Sequence, residues 1–151
     1  MNEHIRPIAT PDRVHAHLIG GRDTPASDGA VLDVLSPGDG LPFAQIAAGT
    51  AQDVDAAVRA ARAAFDGAWG RLTATERGRL LVKLAAAVEA DADTLTALET
   101  RDNGKPLRQS RADVAGLARY LEYYGTAADK LHGDVLPYLG THWVGIERVP
   151  H

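Results

Sequence analysis

Six histidines, 20 carboxylates and four tyrosines are the side chains with chemistry to offer in this sequence, and no cysteine accompanies them. Without a thiol there is no thiolate nucleophile, no disulfide framework and no Cys-based zinc or iron–sulfur site. His15 and His17 lie two apart, so on one strand they would share a face and could hold a metal ion. Further ligands would have to come from positions as distant as His4, His132 or His142, and two histidines alone read as surface residues. Asp134, Glu122, Glu99 and Asp102 sit beside apolar helix positions. A pair poised for acid–base work needs a cleft and shifted pKa values, so these acids read as helix-surface or capping groups. Asn103-Gly104-Lys105-Pro106 holds a Gly-Lys pair, but a phosphate loop needs Gly-rich backbone before the Lys and Ser or Thr after it. Here Pro follows, and the segment reads as a helix C-cap. Gly38-Asp39-Gly40 is a G-x-G with Phe43 where a dinucleotide fingerprint needs its third Gly, so it reads as a hairpin turn. Tyr120, Tyr123 and Tyr124 could stack a ligand, although their spacing reads first as a partly buried helix stripe with polar tips.

These residues must be positioned by a short β segment and a longer helical one. Val14–Leu18 is partly β-like and is closed by the turn pair Gly20-Gly21. Val31–Leu35 and Phe43–Ala48 are further strand candidates, separated by Ser36-Pro37-Gly38-Asp39-Gly40. Together they predict a small antiparallel sheet. Thr50-Ala51-Gln52-Asp53 is a capping-box pattern, and Val54, Val58, Ala61 and Phe65 behind it recur at helical spacing. Gly67 and Gly70 stop that helix. Thr73-Ala74-Thr75-Glu76 opens the next, with Leu80, Leu81, Leu84 and Val88 on its apolar face. A bend at Asp91–Asp93 precedes Leu95 and Leu98, and Gly104 caps the end. Ser110-Arg111-Ala112-Asp113 predicts a third box, leading a stripe of Val114, Leu117, Leu121, Tyr124 and Ala128 as far as His132-Gly133. Val135–Val149 is β-rich around a Gly140 turn.

The whole is bounded by 151 residues, 45% of them hydrophobic and 24% charged, which is the composition of one folded unit. A net charge of −4 leaves no basic stripe for nucleic acid. No apolar run is long enough to span a membrane, and MNEHIRPIATPDR has no signal-peptide core. The expected location is therefore cytoplasmic. Only three of the 16 basic residues are Lys, a bias that GC-rich coding produces without functional meaning. The sequence stops at Arg148-Val149-Pro150-His151 straight after a strand-like run, which reads as a cut rather than a natural finish.

Read end to end, the chain resembles the opening segment of the NAD(P)-dependent aldehyde dehydrogenases. The resemblance is carried by Leu18-Ile19-Gly20-Gly21, Ser36-Pro37 with Gly40, Asp53-Val54-Asp55-Ala56-Ala57-Val58 and Ala60-Ala61-Arg62-Ala63-Ala64-Phe65. It continues through Trp69, Glu76-Arg77-Gly78-Arg79-Leu80-Leu81, Leu98-Glu99-Thr100 and Asp102-Asn103-Gly104-Lys105-Pro106. Tyr123-Tyr124-Gly125, Ala128-Asp129-Lys130, His132-Gly133 and Glu147-Arg148-Val149-Pro150 complete it, over residues 16 to 151.

That resemblance implies an α+β fold: the N-terminal portion of the aldehyde dehydrogenase fold, with short antiparallel strands, a helical run and a C-terminal oligomerisation-arm strand. The implied segments are a flexible tail (1–15), the strands and helices of the cofactor-domain region (16–133) and the start of the arm (134–151). The family's reaction oxidises an aldehyde to a carboxylic acid through a cysteine thiohemiacetal, with hydride passing to NAD or NADP. Its nucleophilic Cys, base Glu, oxyanion-hole Asn and cofactor loop all lie downstream of this segment. The chain alone is therefore expected to be inactive and to bind no cofactor. By resemblance, Asp102 and the Val34 carbonyl would help hold a structural cation. Ala112, Gly116 and Arg119 would line the substrate entrance. The arm would favour self-association or pairing with a complete aldehyde dehydrogenase subunit, and the helices' apolar stripes would be left exposed.

Overall fold

A computed structural model of the chain describes residues 14–138 and 140–149. Most of the expected tail lies outside those residues, but Val14 and His15 form strand β1 (Val14–His15), paired in parallel with β5 (Pro42–Ala47). On its other side β5 pairs antiparallel with β4 (Val31–Leu35), giving the order β1-β5-β4. The predicted wholly antiparallel sheet is thus mixed. The strand is interrupted at Ala16, beyond which β2 (His17–Ile19) turns back on β3 (Arg22–Thr24) as a separate hairpin. Gly20 and Gly21 both take positive φ, 59° and 77°, as a tight hairpin turn of this hand requires.

Helix α1 (Ala51–Asp66) opens on the predicted capping box. Thr50 Oγ1 accepts from the Asp53 N–H at 3.3 Å, and the Asp53 carboxylate accepts from the Thr50 N–H at 2.9 Å. The single turn α2 (Ala68–Arg71) separates it from α3 (Ala74–Ala90), which starts with the same reciprocal pair between Thr73 and Glu76. Asp91 both ends α3 and begins α4 (Ala92–Asn103). Gly104 then stops α4 in the left-handed conformation, φ 76°.

Helix α5 (Leu107–Ala127) departs from expectation at both ends. It begins three residues before the Ser110 box, because Pro106, with φ −58°, already presents its carbonyl to the N–H groups of Gln109 and Ser110. Ser110 is therefore no cap. It lies fully buried, bonded to Thr100 Oγ1 at 2.7 Å. The helix ends at Ala127, short of His132-Gly133, where Lys130 takes up its last carbonyls: its N–H bonds Ala127 O and its Nζ bonds Thr126 O. Beyond it, β6 (Val135–Leu136) and β7 (Val144–Gly145) form the expected antiparallel pair around Gly140.

The core lies where α3 and α4 pack on α5. Val88, Val114 and Ala118 are buried together, flanked by Ala92, Leu95 and Leu121. The buried line on α5 is Ser110, Val114, Ala118 and Gly125, so Leu117 and Tyr124 of the predicted stripe face outward instead. Small residues win that line because the helices cross backbone to backbone: a Cβ on Gly125 would stand 2.8 Å from the Gly78 carbonyl oxygen.

Candidate functional site

One polar constellation among the described residues is the α4–α5 corner. Gly104 reverses the chain, the Asn103 side chain accepts the Lys105 N–H at 2.9 Å, and Pro106 launches α5. Lys105 is thereby aimed between two helices, where its Nζ pairs with the Glu99 carboxylate on α4 and with Asp113 Oδ2 on α5 at 2.7 Å. The bond Lys105 donates to Asp113, seconded by the one to Glu99, raises the Lys105 ammonium above its usual range. The lysine of the Gly-Lys pair is thus spent on two carboxylates of its own chain, and the corner is a staple; what the C-cap reading expects is the left-handed Gly104 that ends α4.

The outer side of the same corner meets the β4–β5 turn. Gly104 lies so close to Pro37 that an added Cβ would approach the ring at 2.9 Å. Arg101 lays its guanidinium over the buried Phe43 ring, 5.1 Å from its centroid. Asp39 in that turn is held below the usual carboxylate range by the Leu41 N–H and the Ser36 hydroxyl, with Arg101 adding a smaller attraction. A second tie between strands and helices is Asp53. Its carboxylate accepts from the Ser27 N–H at 3.2 Å and from Thr50, and the Thr50 N–H is the main cause of its lowered pKa. Sequence spacing identifies Asp53 as a capping acid, but nothing local marks Ser27, 26 residues away, as its partner.

Val34 is half-buried in β4 beside the bulge between Val34 and Leu35, and Asp102 is exposed near the end of α4. Val34 stands three residues before Pro37 and Asp102 two before Gly104, and those two residues meet, so the fold brings their neighbourhoods together. One carboxylate and one carbonyl supply only part of the roughly six oxygens a hard cation takes. Among the described residues no group of three or more His, Cys, Asp or Glu side chains gathers. His15 is exposed, while His17 packs half-buried near Gly49 with its Nε2 unpartnered.

Ala112, Gly116 and Arg119 share one face of α5, opposite the buried Ser110–Val114–Ala118 line. A Cβ on Gly116 would meet nothing within 4 Å, and Arg119 pairs with Glu122 at 2.9 Å. Tyr120, Tyr123 and Tyr124 are more exposed than a partly buried stripe, at 65%, 58% and 61%. They pack on one another instead, Tyr120 stacked with Tyr124 and Tyr123 edge-on to it.

The Gly38–Gly40 loop joins two antiparallel strands rather than leading from a strand into a helix, and the starts of α1 and α3 are capped by Thr50 and Thr73. The constellations here hold helices and strands in place.

The model of the aldehyde dehydrogenase family matches residues 24–151. An aldehyde dehydrogenase of Aspergillus niger is 38% identical over 141 residues, covering 90% of this chain and 28% of that protein. The crystal structure of PnpE in complex with nicotinamide adenine dinucleotide superposes with a TM-score of 0.78 at 46% identity, over 82% of this chain and 26% of that one. An NAD-dependent aldehyde dehydrogenase from Sinorhizobium meliloti gives a TM-score of 0.79 at 31% identity, over 87% of this chain and 28% of that one. The chain spans about a quarter of the length of the relatives it matches.

Proposed function

The chain belongs to the aldehyde dehydrogenase family, and on that premise we propose that it is the scaffold and assembly part of an NAD(P)-dependent enzyme that oxidises an aldehyde to a carboxylic acid. One observation carries this reading: the family match runs through 24–151 while the 151 residues contain no cysteine. Thiolate attack on the aldehyde carbon has no nucleophile here, and the described residues offer no dinucleotide turn. The chain alone leaves an aldehyde unoxidised and binds neither NAD nor NADP. Within a complete enzyme, Asp102 and the Val34 carbonyl would contribute two oxygens to a structural cation. Ala112, Gly116 and Arg119 would line the substrate entrance.

The test is to incubate the purified 151-residue chain with an aldehyde and NAD+ or NADP+ and follow reduced cofactor by absorbance. No signal above a protein-free control is expected. Sustained turnover would overturn the proposal.

A second reading, an interaction module that joins complete aldehyde dehydrogenase subunits, is favoured by the terminal hairpin. Val135, Tyr138, Trp143 and Val149 there are 65%, 62%, 78% and 68% exposed, beside short strands with open edges. Mixing the chain with a complete enzyme of the family should then give co-elution. Separate elution with unchanged activity would dismiss it.

A further inference from the structure

Asparagine occurs twice in the sequence, as Asn2 and Asn103, and only Asn103 precedes a glycine. Asn-Gly is the pair most prone to spontaneous deamidation, because no Cβ on the glycine keeps the asparagine side chain from the next amide nitrogen. The Gly104 nitrogen attacks Asn103 Cγ, and the new C–N bond closes a five-membered succinimide. The Cγ–Nδ2 bond breaks, and ammonia leaves with the proton of the Gly104 amide. Water then opens the ring at either carbonyl, giving aspartate or isoaspartate.

The chain holds this pair against that reaction with its own atoms. Asn103 is the last residue of α4, and ring closure must turn the Asn103–Gly104 peptide well away from helical ψ. The attacking nitrogen is engaged as well, since the Gly104 N–H donates to Thr100 O at 2.9 Å. The Asn103 side chain is occupied by the Lys105 N–H, 2.9 Å from its Oδ1. Lys105 is in turn fixed by Glu99 on α4 and Asp113 on α5. Both residues of the pair are exposed in this chain, so water is at hand once the last turn of α4 opens.

We propose that Asn103 is a deamidation site gated by the last turn of α4: it reacts when the Gly104 N–H leaves Thr100 O and is protected while that cap is closed. The modification then keeps the corner open. Isoaspartate adds one carbon to the main chain where Gly104 already lies against Pro37, an added Cβ there coming within 2.9 Å of the ring. Either product sets a second carboxylate beside Asp102 at the C-terminus of α4, the helix end that disfavours negative charge. Asn103 thus turns a transient opening of the corner into a lasting covalent mark. This site is independent of the enzyme reading above.

Incubation of the full 151-residue chain at mildly alkaline pH, followed by digestion and mass spectrometry, tests it. The readout is the mass gain of amide turned acid in the peptide holding Asn103, with the aspartate and isoaspartate forms separated by chromatography. The native chain should deamidate at Asn103 at least about tenfold more slowly than the chain unfolded in urea. Lys105→Met releases both carboxylates and should raise the native rate several-fold. Asp113→Asn leaves the Glu99 contact in place and should raise it less. In urea the three chains should react at one rate. Should Lys105→Met lose its helical circular dichroism, Asp113→Asn carries the comparison. Equal rates in the native and unfolded chain overturn the proposal. So does a native rate that these variants leave unchanged.

Discussion

Gly125 and Gly116 lie on the same helix, and the structure assigns opposite consequences to the same substitution at each. A Cβ on Gly125 would stand 2.8 Å from the Gly78 carbonyl oxygen and 3.1 Å from both Leu81 Cβ and Val82 Cγ2. Non-bonded carbon atoms settle at about 3.5–4.0 Å, so α3 and α5 must part by roughly half an ångström along their closest crossing. Overpacking of this kind costs about 1–3 kcal/mol. Replacing Gly by Ala in a helix returns at most about 1 kcal/mol, and less near the C-terminal turn. Gly125→Ala should therefore destabilise the fold by about 1–2 kcal/mol net. Gly116→Ala meets nothing within 4 Å and keeps only the propensity gain, about 0.5–1 kcal/mol. Urea unfolding followed by circular dichroism reads both. With a slope of about 2 kcal/mol/M, the midpoint should fall by roughly 0.5–1 M for Gly125→Ala and rise for Gly116→Ala. Protein concentration must be held fixed, since self-association shifts apparent stability. A Gly125→Ala midpoint equal to or above wild type would refute the close crossing on which the packing account rests.

Two further predictions concern pH. The Asp53 carboxyl is lowered from 3.8, chiefly by the Thr50 N–H. Its contribution is therefore complete above that value and is lost as pH falls through the lower folded value. Asp53→Asn should flatten the acid limb of a Tm-against-pH profile and leave the alkaline limb alone. Lys105 has the opposite sense: its pKa is raised from 10.5, first by Asp113 and then by Glu99. Its contribution is present below 10.5 and fades as pH rises through the folded value. Lys105→Met should lower Tm at neutral pH by leaving two carboxylates facing each other, and should remove the alkaline loss. A profile parallel to wild type would show that the staple does not hold the corner.

Local features were legible because their causes are local. The boxes at Thr50 and Thr73 close within three residues, and Gly104 needs only the freedom to take positive φ before a proline. The Ser110 box failed for the same reason. The pattern is real, but Pro106 offers an earlier helix start, and Thr100 on another helix claims the hydroxyl. The likeness to the aldehyde dehydrogenases was legible across nearly the whole chain, since ordered short motifs survive where single residues would not. The ties from Asp53 to Ser27 and from Arg101 to Phe43 were not. They join residues tens of positions apart, and no periodicity records them.

By itself, the sequence determined the longer helices and strands, the family, and the absence of thiol chemistry from these residues. Each of these is set by residue type and by neighbours within about one helical turn. Only the tertiary structure decided which face of each helix is covered. Hydrophobic spacing marked Val54, Val58 and Phe65 as a face to bury, yet the fold uses the Asp53–Ala60 side of α1 and leaves that stripe exposed. On α5 it buries Ser110, Ala118 and Gly125 in preference to Leu117 and Tyr124. Burial is a property of the opposing surface: where two backbones meet as closely as at Gly78 and Gly125, the smallest side chains go inside, and the larger apolar ones wait for a partner.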